Sequence, residues 1–133
     1  MLKLEIVTPE KRVVGTEADS VTVPTASGEA GILPNHAPLI SALKPGVLAY
    51  TSRGTTEKIA ISGGFVEVNN DKVSVLADAA ETAGEIDANA ARAERDEVEK
   101  AITAAAGQSV EQTEALRDQL DSANARLQLA AGK

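Results

Sequence analysis

A chain of 133 residues suffices for one ordinary domain, or for a small domain with an appendage, and 43 % hydrophobic residues allow a packed core. That core must come from Val, Leu, Ile and Ala, because the sequence holds one Phe, one Tyr, one Met and no Trp. A net charge of −7, from 20 acids against 13 bases, argues against a nucleic-acid partner, and the lack of cysteine excludes disulfides, thiolate catalysis and cysteine-based zinc sites.

The chain opens on Met1-Leu2-Lys3-Leu4-Glu5, which alternates as a strand does and lacks the long apolar stretch of a signal peptide. No later apolar run approaches the roughly 20 residues that a membrane-spanning helix needs. Up to Gly84, short β-rich runs are separated by turn residues at the intervals of a sandwich or barrel. Strands are predicted over Leu2–Thr8, Val21–Pro24, Gly46–Thr51, Glu57–Ser62, Phe65–Val68 and Lys72–Leu76. Asn69-Asn70-Asp71 tolerates left-handed backbone, so the last two strands are expected to form a hairpin. All five prolines lie in this half, four of them between Pro24 and Pro45, where they mark loops and edges.

Beyond Gly84 proline disappears and alanine dominates. Asp87 is a natural N-cap for a helix running to about Ala106, and Gly107 breaks that helix. Ser109-Val110-Glu111-Gln112 has the form of a capping box opening a second helix. Leu116, Leu120, Ala123, Leu127 and Ala130 recur there at helical spacing, and Ala91, Val98, Ile102 and Ala105 form a thinner stripe in the first helix. A short link forces the two helices antiparallel. Each large apolar residue stabilises by about 1.5–3 kcal/mol, whereas ordering each residue costs about 1–2 kcal/mol for the backbone alone. Such an alanine-rich pair is marginal by itself and needs a covering surface, either the β half or another protein. The division expected is residues 1–84 as a β-sandwich head and residues 85–133 as a helical hairpin.

Candidate chemistry is sparse. His36 is the sole histidine, so it builds no His-rich metal site, and no nucleophile is placed beside it. Gly28-Glu29-Ala30-Gly31 and Gly63-Gly64 lack the spacing of phosphate-cradling loops and read as turns or close backbone approach. The charged run Arg92–Lys100 reads as a solvated helix face with pairs such as Asp96 with Lys100. These features predict a non-catalytic protein that works by gripping other proteins. Two rivals stand beside it: an adaptor that dimerises through Leu116, Leu120 and Leu127, and a small enzyme built around His36 and Glu67.

Several blocks together resemble the epsilon subunit of bacterial F-type ATP synthases, the equivalent of the mitochondrial delta subunit. They are Gly28-x-x-Gly31-Ile32-Leu33-Pro34-x-His36-Ala37-Pro38-Leu39, Lys44-Pro45-Gly46, Ser62-Gly63-Gly64-Phe65-Val66-Glu67-Val68, and Val73-x-Val75-Leu76-Ala77-Asp78-x-Ala80-Glu81. The resemblance runs essentially end to end. It implies a non-catalytic rotor subunit that couples the gamma subunit to the c-subunit ring during proton-driven synthesis. It implies a peripheral place on the cytoplasmic face of the bacterial inner membrane, reached only through the complex, and a monomer when isolated.

By the same resemblance, the loop from Pro24 to Gly31, with Glu29 and Gly31, corresponds to the contact with the c ring, and His36 lies beside it. The hairpin of this family either folds against the head or extends along gamma into the alpha/beta hexamer, where it inhibits hydrolysis. Arg117 and Arg126 are then candidates to meet the hexamer's acidic surfaces, against the alternative of plain surface solvation. Family members that bind ATP resemble one another in Ile-Asp-x-x-Arg-Ala. Here Ile86 and Asp87 are present but Ala90 holds the arginine position, and Arg92 falls about 200° further round the helix. Neither a cofactor nor a metal is therefore expected, and ATP binding by the isolated chain is expected to be weak or absent.

Overall fold

The computed structural model describes residues 1–131, with the side chains of residues 110–112 outside the description. Ten strands come first: β1 (Leu2–Val7), β2 (Arg12–Ala18), β3 (Ser20–Thr25), β4 (Gly28–Ile32), β5 (Leu39–Leu43), β6 (Gly46–Ser52), β7 (Thr55–Ile61), β8 (Gly64–Asn69), β9 (Lys72–Ala77) and β10 (Ala80–Thr82). A single 3-10 turn (Ala83–Glu85) leads to helices α1 (Ala88–Ala104) and α2 (Val110–Ala131).

The strands run β10-β7-β6-β3-β5-β8-β9-β1-β2, with β4 on the free side of β3. Only one residue pair, Thr25 with Leu43, joins β3 to β5. The ribbon folds over at that joint into a sandwich, one layer built on β10-β7-β6-β3-β4 and the other on β5-β8-β9-β1-β2. Alternation decides what faces inward. Leu2, Leu4 and Ile6 of β1 are buried while Lys3, Glu5 and Val7 of the same strand turn outward. With Val21, Val23, Ile32, Leu48, Ile59, Ile61, Val66, Val68, Val73 and Val75 they form one aliphatic core, contributed entirely by the head.

All six predicted strands are present. Four others were not anticipated, for separable reasons. β2 has fully buried only Ala18 and so shows no period. β4 reads as a glycine turn, β5 is hemmed by Pro38 and Pro45, and β10 is only three residues long. The expected loop from Pro24 to Gly31 is therefore a β3–β4 hairpin, closed by the Thr25 hydroxyl donating to the Gly28 carbonyl. The β8–β9 hairpin turns at Asn70 and Asp71, with φ of 51° and 59°. Gly64 satisfies the expectation of close backbone approach. Its φ is +127°, and a Cβ there would lie 2.0 Å from the Leu76 carbonyl oxygen.

Asp87 caps α1, accepting from the amides of Asn89 and Ala90 at 3.0 and 3.1 Å. That helix ends at Ala104, two residues earlier than expected, and Gly107 takes φ +92° in the link. The capping box predicted at Ser109 depends on the Gln112 side chain, which lies outside the described residues. Ala91, Val98 and Ala105 of the first stripe are buried and Ile102 is half-buried. In α2 the expected stripe is only half right: Ala123 is buried, but Leu116, Leu120, Leu127 and Ala130 are half-buried. The α2 residues buried in the cluster with the head are Ala125 and Leu129. They lie against Ala60 and Ile86, with Val47, Ala83 and Ala130 around them. Unbroken burial of Ile59, Ala60 and Ile61 follows, because β7 is covered by the core on one face and by α2 on the other.

Candidate functional site

A sandwich has two outer faces, and the hairpin occupies one of them. The other is bare, and it is apolar where a solvated sheet would be polar. Phe65 of β8 stands directly opposite Leu76 of β9 and, on its other side, Ala42 of β5. Leu76 in turn faces Val7 of β1. Directly opposed residues share a face, so these four make one row across four strands, with Ile40 beside it on β5. Exposure reaches 59 % at Phe65, 59 % at Leu76 and 75 % at Ile40. The chain thus leaves its only phenylalanine in solvent while lining its core with aliphatic residues. Lys3, Glu5, Glu67, Lys72 and Ser74 surround the row with charge and hydroxyl groups.

Glu29 and Gly31 alternate outward on β4, while Ala30 turns to the core and Ile32 is buried. Among the described residues β4 pairs with β3 alone, so its other edge is open. His36 sits in the following loop, half-buried, with its amide donating to Leu33 O and its ring Nδ1 2.7 Å from Ala37 O. That carbonyl only accepts, so Nδ1 carries the proton. The loop is tied to the far hairpin turn: Asn35 N donates to Asp71 Oδ1 at 2.6 Å, and Lys3 N donates to Asp71 O at 2.8 Å. Asp71 was missed in the sequence because its signal was a turn residue, which hides a long-range acceptor. Glu67 points outward from β8 opposite Ile40. Neither it nor His36 is held against a nucleophile by any contact given above.

Ile86 and Asp87 have local employment: Ile86 is buried under α2 and Asp87 caps α1. Ala90 is exposed, and Arg92 donates to Asn89 Oδ1 at 3.2 Å. Arg95 takes Asp96 at 3.1 Å, where helical spacing expects Lys100. Arg117 donates to the Thr113 hydroxyl at 2.7 Å and is exposed. Arg126 differs from the others. Its Nε lies 2.9 Å from Glu81 Oε1 without hydrogen-bond alignment, while its Nη2 donates to Glu81 Oε2 at 3.5 Å and its Nη1 donates to Glu94 Oε2 at 3.0 Å. Before the linker enters α1, Glu85 accepts from the Thr82 amide and hydroxyl at 3.0 and 2.9 Å. Those two donors, with Lys11 as a smaller influence, hold the Glu85 carboxyl below its usual range. Burial, and then Glu57, push the Tyr50 phenol up.

Residues 1–83 match the family described as ATP synthase, Delta/Epsilon chain, beta-sandwich domain. The chain belongs to the ATP synthase delta/epsilon family. It is 49 % identical over 111 residues to the ATP synthase epsilon chain of Desulfitobacterium hafniense (strain Y51), covering 84 % of each. With the epsilon chain of Carboxydothermus hydrogenoformans it shares 56 % over 91 residues, 68 % of each. As an epsilon-type member of that family, the chain is a non-catalytic subunit of the complex. A cryo-EM structure of the Euglena gracilis mitochondrial ATP synthase contains a chain with the same fold, at TM-score 0.80 and 22 % identity, over 98 % of this chain and 81 % of that one. A chain of the cryo-EM structure of the Tetrahymena thermophila mitochondrial ATP synthase central stalk and c-ring has the same fold, at TM-score 0.65 and 14 % identity, over 97 % of this chain and 96 % of that one.

Proposed function

We propose that this epsilon-type chain serves in the central stalk of a bacterial F-type ATP synthase, on the cytoplasmic face of the cell membrane, its head joining the gamma subunit to the c-subunit ring and turning with them. The observation that carries this reading is the bare row of Ala42, Phe65, Leu76 and Val7, with Ile40 beside it. A free-standing monomer has no use for such a row, and a rotor subunit that must bear torque needs a dry, well-packed seat. Gamma is the partner assigned to that seat. Glu29, Gly31 and His36, on the open β4 edge and the loop after it, are assigned to the polar loops of the c ring.

The hairpin is folded against the head here. Its proposed second role is to rise along gamma into the alpha/beta hexamer and restrain hydrolysis. Arg117 is free to meet an acidic surface in either position. Arg126 meets one only after exchanging Glu81 and Glu94 for it. The adaptor reading loses support because Leu116, Leu120 and Leu127, its dimer residues, are half-buried within the chain.

The test adds the chain to a catalytic F1 sector stripped of its own epsilon and follows co-elution and ATP hydrolysis. A version ending at Gly84, which retains every residue of the head core, runs in parallel. Binding by both, with suppression only by the full chain, supports both roles. Binding by both with equal rates leaves the head as a coupler and removes the brake, and binding by neither refutes the assignment to gamma.

A further inference from the structure

We infer that the ion pair between Arg126 and Glu81 is the latch that holds the hairpin against the head. Three observations meet at this point. First, the apolar seat is thin: four buried residues, of which only Ile86 and Leu129 are large. A cleft of about 610 Å³ remains open beside it, between Val14, Tyr50 and Ile59 of the head and Gln128 and Leu129 of α2. Second, Glu81 of β10 stands directly opposite Ala60 of β7. The carboxylate therefore shares a face with the seat that receives Ala125 and Leu129, and Arg126 sits between those two residues in α2. Third, Arg126 is only 21 % exposed, and Glu81 34 %, so their attraction is less screened than that of an exposed pair.

Glu94 divides the labour. It belongs to the second turn of α1, so its contact with Arg126 ties helix to helix, whereas Glu81 ties helix to head. Two carboxylates converge on one guanidinium. Removing the cation leaves Glu81 and Glu94 facing one another unpaired, which repels the hairpin from the head as well as releasing it. The latch is a property of the free chain. Only its consequence in the assembled complex rests on the brake proposed above.

The experiment uses the full chain. Because it contains no cysteine, the substitutions Thr55→Cys on the head and Gln119→Cys on α2 provide a clean label pair for distance measurement. Amide hydrogen exchange is read on the same proteins. Relative to the parent, Glu81→Gln is expected to raise the long-distance population and the exchange of α2 roughly tenfold, consistent with a charged hydrogen-bonding group losing its partner. Arg126→Gln is expected to exceed it, and Glu94→Gln to leave the head-to-α2 distance unchanged. High salt is expected to act in the same direction as Glu81→Gln but more weakly, because the pair is part-buried.

Unchanged distance and exchange in both Glu81→Gln and Arg126→Gln would overturn the latch. Exchange that accelerates equally in β1, β8 and β9 would also overturn it, because the pair would then support the whole fold. Lengthened distances in free Glu81→Gln, with no change in its effect on F1 hydrolysis, uphold the latch and remove the brake.

Discussion

Replacing Phe65 by serine is the sharpest probe of the bare face. The ring is 59 % exposed, and a buried phenylalanine contributes roughly 200 Å², so docking would take about 120 Å² of it out of water. At about 25 cal/mol per Å² this is about 3 kcal/mol, or about a hundredfold in affinity. The free chain should hardly notice, since a side chain standing in solvent contributes little to folding, within about 0.5 kcal/mol. Titrating labelled parent and Phe65→Ser chains into epsilon-depleted F1 gives the ratio of dissociation constants, and thermal unfolding of each gives the control. Binding nearly as tight as that of the parent, with an unchanged melting temperature, would refute the reading of this row as the gamma seat. A lost fold would show instead that the ring has a structural contact the exposure does not reveal.

Gly64→Ala should cost the head several kcal/mol, because its +127° φ is strained for alanine and the new Cβ meets the Leu76 carbonyl; denaturant unfolding of the chain measures it. Asp87→Ala removes the cap of α1 and should cost about 1 kcal/mol, read as faster exchange at Asn89 and Ala90 while the β core stays protected. Glu85 supplies a pH dependence. Its carboxyl is lowered in the folded chain by the Thr82 donors, so it binds its proton more weakly there than when unfolded. The stabilisation is present above the usual glutamate range and fades as pH falls through the lowered value. Protection of the Thr82 amide should show an acid-side loss that Glu85→Gln abolishes, and a flat profile in the parent would contradict it. With Ala90 in place of arginine, ATP should not bind the isolated chain tightly, and calorimetric titration showing micromolar affinity would overturn that expectation.

Much of this architecture was legible because period-two alternation is written into β1, β8 and β9, and because Asp87 and the proline-free tail announce helices. What escaped notice has common physical roots. β4 and β5 owe their pairing to neighbours distant in sequence, which overrides glycine and proline signals that read locally as turns. Ala125 and Leu129 fall off the main α2 stripe, and nothing within a helix tells which side a head will approach. The candidate site divides the same way. Glu29, Gly31 and His36 stood out in a distinctive local run, whereas the outward turn of Phe65 emerges only from the register of three strands. Arg126 could be named as a cation on α2, but its two carboxylates lie 45 and 32 positions away in the chain.

The folded hairpin also bears on how the subunit survives before it finds its complex. Lifting α2 in free solution would bare Ala60, Val47 and Ile86 while Phe65, Leu76 and Ile40 already stand uncovered on the opposite side. A small molecule sticky on both flanks can chain into aggregates, whereas one sticky on a single flank at most pairs. Were α2 to stay down until another subunit covers the Phe65 flank, the order of events would be protective: assembly first, any movement afterwards.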